Sequence, residues 1–114
     1  QGAVAGFCSA RVHPGRAGHG AYFGTFAVAR NHRGTGLARE IVEAVLKELT
    51  RRGILRVELL VEADNPRAIA FYEKLGFVHE GRMRCAYKRS HEQGYVDELL
   101  MAKLLPPLCG VREA

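Results

Sequence analysis

The segment Arg33-Gly34-Thr35-Gly36-Leu37-Ala38 is where the residue types first point to chemistry. It lies between a run of aromatic and β-branched residues and the most regular helical pattern in the chain. Glycines let a backbone approach a ligand closely. The N–H groups that open a helix point outward, with the positive end of the helix dipole behind them. That arrangement suits a pyrophosphate, and Arg30, His32, Arg33 and Arg39 crowd positive charge around the same turn. Two glycines alone would also make an ordinary tight strand-to-helix turn. The spacing is not that of a dinucleotide fold, which wants GxGxxG and an acidic residue about 20 positions later. Nor is it that of a Walker loop, which ends in Gly-Lys-Ser/Thr.

Other reactive side chains are scattered. Cys8, Cys85 and Cys109 show no CxxC or CxxH spacing, so neither a zinc site nor a disulfide framework is expected, and reduced thiols in a cytoplasm fit best. No metal is expected. His19, His79 and His91 sit in or beside loops and form no catalytic pattern. Glu58 and Glu62 share a strand face with Leu60 and read as solvated or ion-paired carboxylates rather than as bases.

These residues must be positioned by a folded core, and the composition supplies one. The chain has 114 residues, 47% hydrophobic and 25% charged, which suits one globular domain with little room for a second. No apolar run approaches the roughly 20 residues that span a bilayer, so the expectation is a soluble, cytoplasmic protein without a membrane partner. The net charge of +5 fits a nucleic-acid partner, a small polyanionic ligand or a solvated basic face. No RNP-like aromatic pattern or recognition-helix signature supports nucleic acid.

Residues 3–12 read as a strand, 14–20 as a loop, and 21–29 as a second strand antiparallel to the first, with Gly24 marking a bulge or close backbone approach. Leu37, Ile41, Val45 and Leu49, flanked by Ala38, Val42 and Leu46, set a helix over 37–52 that Gly53 ends. Residues 55–63 form a strand with Val57, Leu59 and Val61 on one face. Asn65 caps a second helix with Pro66 at its first position, running to Leu75 and stopping at Gly76. Residues 77–88 and 95–104 close as an antiparallel pair across Ser90 to Gly94. The order predicts an α/β or α+β fold, with a mixed, mostly antiparallel sheet, flanking helices and one parallel crossover between 21–29 and 55–63.

At this point the sequence resembles the GNAT superfamily of N-acetyltransferases. Their fourth strand leads into a turn with Arg or Gln, then Gly three positions on, then Gly or Ala two further; Arg33, Gly36 and Ala38 stand at those places. Residues 61–77, VEADNPRAIAFYEKLGF, look like the second signature: an Asn after the fifth strand, Ala-Ile, a Tyr, then Leu-Gly-Phe. Residues 80–101 are similar to members that acetylate amino acids or polyamines.

The resemblance implies a GNAT fold and acetyl-CoA as acetyl donor. Backbone groups of Phe26, Ala27 and Val28 would hold the pantetheine arm. Arg33, Gly34, Thr35, Gly36, Leu37, Ala38 and Arg39 would hold the pyrophosphate, and Asn65 would contact the pantetheine. Tyr72 would protonate the departing thiolate. In relatives that acetylate protein N-termini a Glu stands where this chain has Leu60, so no base is implied there. The implied acceptor is a small-molecule primary amine. The alternative is a non-catalytic acyl-CoA-binding sensor or interaction module. The resemblance starts at the second-to-third-strand hairpin, so residues 1–105 read as one truncated domain and 106–114 as a tail. By that resemblance the family's first strand, first two helices and most of its second strand would be missing from this sequence. A homo-oligomer, or contact with a missing N-terminal segment, is expected to cover the exposed sheet.

Overall fold

The computed structural model describes residues 6–28, 35–89 and 94–106. The elements run β1 (Gly6–Val12), β2 (Gly20–Val28), α1 (Leu37–Arg51), β3 (Arg56–Glu62), α2 (Pro66–Lys74), β4 (Val78–Tyr87) and β5 (Val96–Leu104), with a single 3-10 turn at Gly15–Ala17. The strands form one mixed, mostly antiparallel sheet with one parallel pair, as the element pattern predicted, and their order is β1-β2-β3-β5-β4. The chain divides into two compact units: residues 1–57 with 104–114, and residues 58–103.

In the first unit β1 and β2 pair antiparallel, from Gly6 opposite Val28 to Val12 opposite Ala21. The register slips between Ser9 and Ala10, leaving Gly24 as the extra residue on β2. The bulge expected at this glycine is there. The helical spacing of α1 buries Val42, Leu46 and Leu49, while β2 buries Ala21 and Phe23. Each fully buried aliphatic side chain contributes roughly 1.5–3 kcal/mol. The helix ends as predicted, with Gly53 left-handed at φ 83° and the Arg52 N–H donating to the Glu48 carbonyl. The N–H groups of Leu55 and Arg56 both donate to the His19 carbonyl, so β2 and β3 begin side by side and run parallel. The Leu105 N–H donates to the Leu55 carbonyl, setting the end of β5 beside the start of β3.

In the second unit β3 alternates as expected, with Leu59 and Val61 buried and Glu58, Leu60 and Glu62 half-buried. The Asn65 side chain caps α2 by accepting from the Ala68 N–H, and Pro66 opens the helix. Gly76, left-handed at φ 95°, ends it. An ammonium completes this end: Lys103 Nζ donates to the Leu75 carbonyl at 2.6 Å. A side-chain carbon on Gly76 would sit 2.5 Å from that nitrogen. The Leu-Gly-Phe signature is thereby explained: Leu75 and Phe77 are buried, and the glycine between them turns the chain while admitting the lysine. β4 and β5 pair antiparallel with two register shifts, between His79 and Gly81 and between Met83 and Tyr87. The second shift holds Cys85 at φ 51°, a conformation uncommon for a residue with a side chain.

Candidate functional site

The first group of candidate residues lies on β2 and the start of α1. Phe26, Ala27 and Val28 are the last residues of β2, with one backbone edge taken by Cys8, Phe7 and Gly6 of β1. Arg33 and Gly34, like Arg30 and His32, lie outside the described residues. Thr35 and Gly36 form the turn into α1, and Leu37, Ala38 and Arg39 are its first residues.

Gly36 occupies the N-cap at φ 87° with no side chain to cap the helix. The first helical bond is from the Glu40 N–H to the Gly36 carbonyl. The preceding N–H groups therefore have no intrahelical acceptor. Among the described residues, a carbon added at Gly36 would meet nothing within 4 Å. Here an anion can come close to backbone N–H groups backed by the helix dipole. Arg39 adds a guanidinium in the first turn, paired through Nε with Glu43 at 3.2 Å and exposed.

The start of α2 differs in that it is satisfied internally. Asn65 donates its N–H to the Glu62 carbonyl, accepts the Ile69 N–H at its own carbonyl, and accepts the Ala68 N–H at Oδ1. Its side-chain oxygen is thus engaged, while its Nδ2 makes no hydrogen bond among the described residues. The preceding turn is held at each position. The Ala63 N–H donates to the Asp97 carbonyl at 2.8 Å. Asp64 accepts two hydrogen bonds from the Arg89 guanidinium, at 2.6 and 3.0 Å, and Glu62 accepts one at 2.7 Å. The arginine holds the Asp64 carboxyl below its ordinary pKa.

Tyr72 lies on α2, half-buried. Its ring meets Phe71 and Phe77 edge to face, with centroids 5.2 and 5.6 Å away. Such pairs fix a ring's orientation. Its carbonyl accepts the Leu75 and Phe77 N–H groups where the helix closes.

The remaining ionisable residues fall mostly to structural duty. Glu62 is ion-paired, as expected. His79 pairs with Glu73 at 2.8 Å, His19 contributes its carbonyl to the strand starts, and His91 lies outside the described residues. Cys8 and Cys85 are free thiols, the first with its pKa raised by burial; Cys109 is outside the described residues. Among the described residues no group of three or more His, Cys, Asp or Glu could hold a metal ion, and no helix is long and apolar enough to cross a membrane.

Spacing gave no sign of three residues that shape the second unit: Arg89, Lys103 and Asp97. The partners of Arg89 and Lys103 are 25 to 28 positions away. Asp97 accepts the Cys85 N–H at Oδ1 and Arg82 Nε at Oδ2, at 2.8 and 2.7 Å, which holds the bulge of β4 in place. On the β1–β2 hairpin an open groove of about 460 Å³ is lined by Ser9, Ala10, Arg11, Tyr22 and Gly24. Arg11 sits opposite Tyr22 and makes no ion pair or hydrogen bond among the described residues.

Comparison with known proteins agrees with this geometry. The sequence profile of the Acetyltransferase (GNAT) family matches residues 1–77. The chain is 38% identical over 82 residues to the N-alpha-acetyltransferase 30 of Schizosaccharomyces pombe, covering 72% of this chain and 49% of that protein. It is 40% identical over 76 residues to the mycothiol acetyltransferase of Kocuria rhizophila, covering 65% of this chain and 25% of that one. The crystal structure of the ribosomal-protein-S18-alanine N-acetyltransferase from Escherichia coli superposes with a TM-score of 0.77 at 32% identity, covering 88% of this chain and 61% of that chain. This chain therefore spans between a quarter and about three fifths of the lengths of these relatives. With its β2-turn-α1 motif and its capped second signature, the chain belongs to the Acetyltransferase (GNAT) family.

Proposed function

We propose that this chain carries the acetyl-CoA-binding and acetyl-transferring part of an N-acetyltransferase whose acceptor is the primary amine of a small molecule. The observation that carries the reading is the contrast between the two helix starts. α2 is capped by Asn65, whereas α1 opens on a left-handed glycine with no capping side chain. GNAT enzymes use acetyl-CoA, and a pyrophosphate fits that start.

In this reading Thr35 to Arg39 hold the pyrophosphate, with Arg33 and Gly34 from the same turn. The backbone of Phe26 to Val28 holds the pantetheine arm, and Asn65 donates to it through Nδ2. The amine nitrogen attacks the thioester carbonyl carbon, and the C–S bond breaks as the carbonyl re-forms. The thiolate takes the Tyr72 phenolic proton, and the new amide nitrogen gives its extra proton to water or a base. A phenol near pKa 10 is suited to a departing thiolate. An alkylammonium near pKa 10.4 must first lose a proton, at a cost of about 4.6 kcal/mol at pH 7. Glu62 is a poor candidate for that base, because its carboxylate is held by Arg89.

One observation favours a small acceptor: Leu60 stands where the resemblance puts a Glu in members acting on protein N-termini. The relatives themselves are divided between mycothiol acetyltransferases and acetyltransferases of protein N-termini. Residues 80–101 resemble members that acetylate amino acids or polyamines, and both stay candidate acceptors.

The test is calorimetric titration of the full-length protein with acetyl-CoA, followed by thiol-release assays on amino acids, polyamines and short peptides. Binding with turnover on an amino acid or a polyamine is expected. Turnover on peptides alone would replace the acceptor class, and binding without turnover on any amine would favour a non-catalytic acyl-CoA-binding module. A folded protein that does not bind acetyl-CoA would falsify the whole reading.

A further inference from the structure

The turn from Glu62 to Asn65 carries two carboxylates two residues apart, and both are met by one guanidinium from two residues beyond the end of β4. Arg89 reaches Asp64 with both terminal nitrogens, at 2.6 and 3.0 Å, and Glu62 with Nη2 at 2.7 Å. Arg89 and Glu62 are 27% and 31% exposed, so their pair is sheltered, while Asp64 is 57% exposed and its contribution comes from the two-pronged geometry rather than from burial. A forked guanidinium fixes two oxygens of one carboxylate in a plane, which an ammonium cannot do. Without it, Glu62 and Asp64 would repel each other across the turn. The next residue is Asn65, whose Oδ1 is committed to the Ala68 N–H and whose Nδ2 is left to donate elsewhere.

We propose that Arg89 is a positioning residue for acetyl-CoA binding: by clamping Glu62 and Asp64 it fixes the turn from which the Asn65 amide is presented. The proposal rests on the reading that Asn65 contacts the pantetheine arm. Arg89 touches no substrate in this scheme, and its effect passes through the turn. Its loss should therefore weaken binding of acetyl-CoA more than it slows the chemistry, and should do so only while Asn65 is present.

The experiment measures acetyl-CoA affinity, kcat and KM on the full-length protein for Arg89→Ala, Arg89→Lys, Asn65→Ala and the Arg89→Ala/Asn65→Ala double variant. Arg89→Ala is expected to raise Kd and KM for acetyl-CoA roughly tenfold, with a smaller fall in kcat. Arg89→Lys should recover part of the affinity, since it restores the charge without the fork. The double variant should bind about as Asn65→Ala does, because a displaced amide and an absent one are equivalent.

Wild-type affinity in a folded Arg89→Ala protein overturns the proposal, as do additive losses in the double variant. If Arg89→Ala does not fold, Glu62→Gln with Asp64→Asn removes the attraction while Arg89 stays. A similar loss of affinity then supports the clamp, and unchanged affinity overturns it. Failure of the wild-type protein to bind acetyl-CoA is a separate result, which removes the functional reading itself.

Discussion

At Tyr72 the structure supplies orientation and the functional reading supplies a task. The ring is fixed by Phe71 and Phe77, so Tyr72→Phe keeps the edge contacts and removes only the hydroxyl. Stopped assays at saturating acetyl-CoA should show kcat reduced on the order of 10²-fold with little change in binding. Full activity in that variant would take Tyr72 out of the mechanism. Asn65 allows a cleaner separation still, because Asp is as good an N-cap as Asn. Asn65→Asp should leave the melting temperature nearly unchanged while raising the Kd for acetyl-CoA roughly tenfold. Equal binding would mean that the residue only caps a helix. At Gly76, Ala must adopt φ 95° and also displaces Lys103 from the Leu75 carbonyl. Chemical denaturation of Gly76→Ala should show a loss of about 2–3 kcal/mol. A loss below half a kcal/mol would show that the lysine cap contributes nothing.

Among the elements, α1 and α2 are both amphipathic helices following strands, yet their first turns are built for different ends. That of α2 is closed by its N-cap side chain, and that of α1 has a glycine without one. Gly36 tolerates no bulky or charged replacement if a pyrophosphate lies before it. Gly36→Asp should abolish measurable acetyl-CoA binding, and binding at wild-type strength would put the pyrophosphate elsewhere.

The bulged β4–β5 pair depends instead on carboxylates. The Cys85 N–H, and after it Arg82, hold the Asp97 carboxyl below its ordinary range; Arg89 does the same for Asp64. A depressed carboxyl stabilises the fold fully above its unfolded pKa, about 3.9, and the contribution disappears as pH falls through the folded value. Thermal melts should therefore be flat from neutral pH down to about 5 and fall below about 4. Asp97→Asn should reduce that acid-side slope, and an identical slope would assign the titration to other groups.

For the molecule as a whole, one end of the sheet bears on association. β4 ends the strand order, and its Val78 and Met83 are 58% and 47% exposed. A strand presenting apolar side chains and an unpaired edge favours association. Sedimentation velocity on the purified chain should show self-association at high concentration, reduced by Met83→Lys. A monomer at every concentration would mean that the edge is protected as it stands.

Most of the architecture is legible in the sequence, because its signals are local. The alternation of Val57, Leu59 and Val61, the helical spacing from Leu37 to Leu49, the Asn65-Pro66 start and the glycines at 24, 53 and 76 each act within a few residues, and all appear in the structure as read. The Gly36 turn was legible for the same reason. What only the tertiary structure decided is which distant groups complete these local devices. Arg89 on Glu62 and Asp64, Lys103 on the end of α2, and Asp97 on the Cys85 bulge each join residues 12 to 28 positions apart. A cap or a turn is written in its own neighbourhood, where steric and hydrogen-bonding preferences act. The partner of a charge at the end of a strand is set by pairing register, which the bulges of β4 shift and which no spacing in the sequence encodes.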